Sequence, residues 1–468
     1  MNALWRGFGG ELRLLRREAV ALWALGGVLV LLLAAALNGA ALLGAQHAVG
    51  TELTAESATL VDALATQAAR GVAAARDPGS VGFSVLGWPV LLPPAPLAPL
   101  AVGQADLLPA HYEISARGAH HFLARAELDS PLRLSIGNFD AAFVIVWLLP
   151  LLAVGLCHDI VSGERERGVL ALAVAAGAHA GRFVLAKWGL RLLLSWIVLV
   201  VACVAMALIT GALGTPQGPG RWLLWVGVTS VYLLFWFALA LWINAGPHGS
   251  ERNAAVLVGA WLLFVILAPA LTNLVATTLL PAPSRVELTT ELREATEAAD
   301  RAAAATRDQY FFDHPEMRGG DMDTRAYFSS VARSEAQIAD AMLPRLAAFD
   351  AQAERQQQLV QRLQYFSPGT VAYQALTAVA GSDGRRHREF RRQVLRYHAD
   401  WNGFFVSRLE AGQALTPADY AGLPRFEFAE PPLAQTVRDL AWPLLWLAGA
   451  ALALCVGAWR RLGRLAVV

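Results

Sequence analysis

The sequence predicts an α-helical polytopic membrane protein with six transmembrane helices and a mostly helical extracytoplasmic domain, α plus some β. Three observations predict it. The 468-residue chain is 56% hydrophobic and only 16% charged, whereas soluble chains carry roughly a quarter charged residues. Six apolar stretches are each long enough to cross a bilayer, which takes about 20 residues. Two long polar segments interrupt those stretches, and residues 281–438 hold 21 of the 37 acids.

Residues 1–18 read as a cytoplasmic amphipathic elbow, apolar at Leu4, Trp5, Phe8, Leu12 and Leu15. The first span follows at 19–43. It is longer than a signal-peptide core, so it is read as retained. A first extracytoplasmic segment, 44–138, shows helical spacing at Leu53, Leu60 and Leu64, and strand alternation at Tyr112, Ile114, Ala116 and again at Leu132, Leu134, Ile136. Between these lie Pro89, Pro93, Pro94, Pro96 and Pro99. Proline at that density forbids a further spanning helix and predicts extended backbone resting on the membrane surface or on the bundle.

The second span is placed at 139–157, the third at 188–213, the fourth at 222–243, the fifth at 254–279 and the sixth at 440–459. Pro150, Pro269 and Pro443 predict kinks in the second, fifth and sixth. Asp140 falls at the outer lip of the second span and Arg191 about one turn inside the third, from where it can snorkel. The spans otherwise hold almost no ionisable residues, which disfavours proton- or ion-driven transport. The second extracytoplasmic segment, 280–439, predicts helices near 287–307, 326–366 and 385–412, with Ile338, Met342, Leu346 and Phe349 on one face.

Orientation follows from arginine placement. Arg6, Arg13, Arg16 and Arg17 precede the first span, and Arg460, Arg461 and Arg464 follow the last, so both termini, including the 460–468 tail, are expected in the cytoplasm. Cys157, Cys203 and Cys455 all lie in apolar runs and imply no disulfide framework. With 38 basic against 37 acidic residues there is no basic field for a nucleic-acid partner.

The loop 158–187 carries the most specific pattern. Ser162, Gly163, Glu164, Arg165, Glu166, Arg167, Gly168 and Leu170 form a charged turn running into an apolar one, with Lys187, the only lysine, at the start of the third span. Such a helix can hydrogen-bond a partner on one side and needs cover on the other.

Here the chain resembles the permease subunits of type-2 ABC transporters, the NosY-like permeases. The residues carrying the resemblance are Glu164, Arg165, Glu166, Gly168, Leu170 and the Ala186–Lys187 pair, together with the elbow and the six-span topology. The long insertions resemble the subgroup with an enlarged extracytoplasmic domain, in which a stretch like Pro96, Leu97, Ala98 through Gly103, Gln104 and Asp106 recurs.

The resemblance implies an exporter subunit in the bacterial cytoplasmic membrane, surrounded by lipid. It would pair with a second permease, identical or not, and with two ABC ATPase subunits. Residues 162–170 would then seat in a groove on an ATPase. ATP and magnesium belong to that partner and no cofactor to this chain, which has no G-x-x-x-x-G-K-[ST] loop.

No catalytic centre is legible: neither H-E-x-x-H nor G-x-S-x-G occurs. His111, His120 and His121 lie close in the first outer segment but without a Cys or Met cluster, so packed or exposed histidines are expected and no metal. Asp313, His314, Glu316, Asp321 and Asp323 miss the calcium-loop register and read as a solvated turn. The rival to a permease is a non-transporting scaffold or sensor with an extracytoplasmic binding domain.

Overall fold

The computed structural model describes residues 19–103, 109–125, 139–175, 179–281 and 324–463, with scattered positions from 290 to 301. The expected elbow, the second alternating stretch at 132–136 and the acidic turn at 313–323 lie outside the described residues. The described chain holds six helices long and apolar enough to cross a membrane, and the protein is an α-helical polytopic membrane protein.

The first, α1 (Ala19–Ala69), is 51 residues long, about 75 Å at 1.5 Å per residue. That is more than twice the hydrocarbon thickness, so its second half leaves the bilayer and joins a polar lobe. Its register is set by close approach. A side chain at Gly39 would overlap the Pro99 carbonyl, so glycine there lets the proline-rich run lie on the helix. Leu97, Leu100 and Ala101 of that run are buried in the core of the spans.

The lobe also contains a two-stranded antiparallel sheet, β1 (Trp88–Leu91) and β2 (His111–Ile114), with Trp88 opposite Ile114 and Leu91 opposite His111. A short helix, α2 (Ala119–Arg125), follows.

The second span is built in three pieces: α3 (Ala141–Phe143), a π-helical turn (Val144–Leu148) and α4 (Leu149–Cys157). Pro150 cannot donate to the turn before it, which leaves carbonyls free in an apolar setting. Neighbouring spans fill them: Tyr232 Oη donates to the Val146 carbonyl at 2.9 Å, and Trp261 Nε1 to that of Trp147 at 3.0 Å. Asp140 caps the start of this span, accepting from Phe143 N at 2.7 Å and also from Val102 N at 2.9 Å. The lip residue is therefore a joint between the lobe and the second span.

Two short helices, α5 (Ser162–Glu166) and α6 (Val169–Ala175), precede α7 (Ala180–Ile209). The fourth span, α8 (Gly218–Asn244), is enclosed as deeply as the second, with Trp225, Tyr232, Trp236 and Phe237 all buried. The fifth runs α9 (Ser250–Trp261), a π turn (Leu262–Leu267) and α10 (Ala268–Leu279), again with a proline, Pro269, just after the turn. Its outward Leu263, Leu267, Leu271 and Leu274 are exposed, the surface a lipid-facing helix presents.

The second polar segment supplies α11 (Thr324–Leu363), α12 (Pro368–Ala380) and α13 (Gly384–Ala411) before the sixth span, α14 (Leu433–Leu462). Phe390, Val394, Tyr397, Trp401 and Phe405 form one buried stripe of α13, and they share a core with Leu64, Phe83, Tyr112, Ile114 and Phe328. Both polar segments thus fold as one lobe.

α12 departs from the expected soluble segment. Ala372, Ala375, Leu376 and Val379 belong to the core of the spans, not of the lobe. At 13 residues the helix is about 20 Å long, too short to cross, and reads as a re-entrant or buried segment. Ser367 caps it, accepting from Thr370 N at 2.9 Å, while its own hydroxyl donates to the Phe264 carbonyl in the π turn of the fifth span at 2.5 Å. Gly381, at φ 78°, ends it in the left-handed region.

Candidate functional site

The charged loop lies at the end of the second span away from the lobe. A four-residue turn follows Cys157, then α5, then Gly168 at φ 70°. That conformation suits glycine and lets α6 leave α5 at an angle.

The charges of α5 are largely used within the protein. Lys187 Nζ donates to Glu164 Oε1 at 2.6 Å, with both side chains about nine-tenths buried. This pair fixes α5 to the third span. Glu166 reaches the start of the fifth, accepting from Ser250 N at 2.7 Å and Ser250 Oγ at 2.9 Å; the carboxylate satisfies an amide left free at a helix N-terminus, where its charge is also favoured. Arg165 donates to the carbonyls of Gly246 and His248, at 3.4 and 2.5 Å, in the turn joining the fourth and fifth spans.

A neutral network lies beneath. Asn244 Nδ2 donates to the Cys157 carbonyl at 2.8 Å, Ser162 Oγ lies 3.3 Å from Asn244 Oδ1, and Asn253 Nδ2 lies 3.2 Å from Ser162 Oγ. Ser162, Asn244 and Asn253 are all fully buried, so each needs its partners. Arg191 is buried too: it donates to the Leu156 carbonyl and lies 3.5 Å from Asp159 Oδ1. It holds the loop instead of snorkelling to water.

The eight residues expected to act together divide as follows. Ser162, Gly163, Glu164 and Leu170 are buried and Arg165 is half-buried. Glu166 and Arg167 are exposed, as are Val169 and Leu172 beyond Gly168. The surface open to a partner therefore carries Glu166 and Arg167 beside an apolar pair, and the buried Glu164 and half-buried Arg165 are its mounting. Asn244, Ser250 and Asn253 were passed over in sequence. Their signal was available: two asparagines nine residues apart at the ends of apolar spans demand buried partners.

A second polar joint ties the lobe to the other end of the bundle. Arg386 Nη2 donates to Glu430 Oε2 at 2.8 Å and its Nε to Oε1 at 2.9 Å, while Nη2 also reaches the Pro93 carbonyl at 2.8 Å. Arg221, at the start of α8, donates to Glu430 Oε1 at 3.2 Å and to the Val379 carbonyl at the end of α12 at 3.0 Å. Arg221 is thus buried between the start of α8, the end of α12 and the segment carrying Glu430.

Nearby, burial, with Arg391, Arg388 and Arg386 around it, lowers the His387 imidazole to about 4. A cavity of 440 Å³ opens where α1 leaves the bundle, lined by Leu43, Gly50, Trp88, Leu91, Phe426 and Phe428 among others.

Of the three histidines, His111 is exposed on β2 opposite Leu91, whereas His120 and His121 come together on α2 beside Glu335 of α11.

The chain is similar, at 32% identity over 130 residues, to the probable ABC transporter permease protein NosY of Stutzerimonas stutzeri, over 27% of this chain and 47% of the relative. It thus spans about half the length of the curated relative it matches. A family model described as a domain of unknown function (DUF3526) matches residues 285–429, which is most of the second polar segment. No solved structure matches. The similarity supports a permease-like membrane protein.

Proposed function

We propose that this chain is the membrane permease subunit of an ATP-binding cassette exporter, working with separate ATPase subunits and a second permease in the bacterial cytoplasmic membrane. The observation that carries the reading is the mounting of α5, held by Lys187 of the third span, Asn244 of the fourth and Ser250 of the fifth. A push on the exposed face beside it would move three spans together. Similarity to a NosY permease supports an ATPase as the source of the push, and the arginine bias at both termini supports a cytoplasmic location for α5.

In this reading Arg167, Val169 and Leu172 meet the ATPase, and Glu164, Arg165 and Glu166 transmit its movement. Rigid displacement of packed helices between two arrangements then opens the pathway to alternate sides. ATP and magnesium are bound by the partner, and this chain catalyses nothing. The 440 Å³ cavity sets apolar walls such as Leu43, Leu91 and Phe428 against charged Arg386, Arg425 and Glu427, which favours an amphipathic substrate.

The test is tagged purification from native membranes in mild detergent. An ATPase should co-purify with the wild type and be lost with Arg167→Glu or Leu172→Asp. A wild-type chain that purifies without an ATPase would reject the reading.

A further inference from the structure

We propose that His120, His121 and Glu335 form a binding site for a divalent transition-metal ion of the zinc type, joining the two polar segments of the lobe. His121 Nε2 lies 2.9 Å from Glu335 Oε1 and His120 Nε2 lies 3.3 Å from Oε2, and the three donor atoms all fall within 4.8 Å of one another. Zinc–ligand bonds of about 2.0–2.2 Å place donors roughly 3.3 Å apart around a tetrahedron, so His121 Nε2 and the Oε1 it approaches need to open by a few tenths of an ångström while the carboxylate turns to offer one oxygen to both rings.

An independent observation points to a missing partner. His120 is 5% exposed, and among the described residues neither of its ring nitrogens has a hydrogen-bond partner; the approach to Glu335 is close but off the line of a hydrogen bond. A buried imidazole with both nitrogens unsatisfied is costly. A metal ion on Nε2 would remove half of that cost.

The surroundings are arranged for the carboxylate. Gly118 N donates to Glu335 Oε2 at 3.1 Å, orienting it. Gly118 itself keeps space for the ring, since a side chain there would lie 2.5 Å from His120 Cε1 and 2.9 Å from Glu335 Oε2.

Two imidazoles and one carboxylate, with no thiolate or thioether, suit zinc and its divalent neighbours and disfavour copper(I), calcium and magnesium. Three protein donors leave a fourth position for water or for a donor from a bound molecule. His120 and His121 are more than 200 residues from Glu335 in the chain, so the ion would clip α2 to α11. The proposal is independent of transport.

The test uses the full chain in detergent, stripped with a chelator and then loaded with ZnCl₂ or, separately, CoCl₂. One zinc per chain should survive gel filtration, cobalt should give the intense visible bands of a four-coordinate site, and zinc should raise the melting temperature. Glu335→Gln and His121→Asn should weaken zinc by at least about tenfold, while His111→Ala binds as the wild type does. Substoichiometric zinc, wild-type affinity in E335Q, or a cobalt spectrum like that of the aqueous ion would each overturn the proposal. The cobalt spectrum of the wild type decides the matter even if a variant fails to fold.

Discussion

The two ends of the helix bundle are both closed by buried charge, but by opposite arrangements. At the α5 end one buried ion pair, Glu164 with Lys187, stands over a neutral Ser162–Asn244–Asn253 network and links elements on three spans. At the lobe end a single acid, Glu430, serves two arginines, Arg221 and Arg386, and the spare donors reach main-chain carbonyls of Pro93 and Val379. The first is a dense bracket on one short helix; the second is a hub joining distant segments. A bracket carries movement as a unit, whereas a hub on one carboxylate can be released by losing that carboxylate.

Breaking the bracket should have the largest effect. Lys187→Met leaves Glu164 charged and buried, at an expected cost of about 3–5 kcal/mol, read as a lower melting temperature of the purified chain. The paired change Glu164→Leu with Lys187→Leu should recover most of it. Failure of the double variant to recover would mean the pair is not the bracket's main element.

Removing the hub comes next. Glu430→Gln keeps the shape but removes the charge, at about 1.5–3 kcal/mol for hydrogen bonds to a charged group. Limited proteolysis should then cut faster near residues 424–432, while the melting of the span core stays close to wild type. Equal loss at both ends would erase the distinction between hub and bracket.

A pH effect should appear at the lobe above the carboxylate range. His387 is held neutral, its pKa lowered from 6.5 to about 4, chiefly by burial and then by the neighbouring Arg391, Arg388 and Arg386. A histidine whose folded value lies below its unfolded one contributes stability that is full above 6.5 and is lost as pH falls through about 4, because the unfolded chain takes up the proton first. The lobe should therefore lose stability between pH 6.5 and about 4, and His387→Gln should lessen the loss, the remainder belonging to His120, also lowered to about 4, and to His398, lowered mainly by burial. The smallest effect belongs to Arg167→Glu: its side chain is exposed, so melting should stay within error while binding of an ATPase is lost.

The sequence made the spans legible because about 20 consecutive apolar residues have few other uses. Pro150 and Pro269 announced distortions as well, although not that Tyr232, Trp261 and Ser367 would fill the freed carbonyls. The charged turn from Glu164 to Leu170 was visible as a helical pattern, and it is helical. Its burial was not, because an alternating charge run looks the same whether it faces water or Lys187.

α12 stayed hidden for a related reason: 13 residues rich in alanine, threonine and valine inside an arginine-rich segment carry no membrane-length signal. Glu335 could not be joined to His120 and His121 from spacing, since only folding brings α2 onto α11.

In the proposed function the exposed face beside α5 takes force from a separate ATPase. The most direct measurement is cross-linking from Leu172→Cys with a short bifunctional maleimide in inverted membrane vesicles; among native thiols, Cys157 and Cys203 are buried and Cys455 is half-buried. One cross-linked product containing an ATPase subunit is expected, with a yield that changes when ATP is added. Labelling of the introduced thiol only from the opposite membrane face, or no ATPase adduct at any nucleotide state, would contradict it.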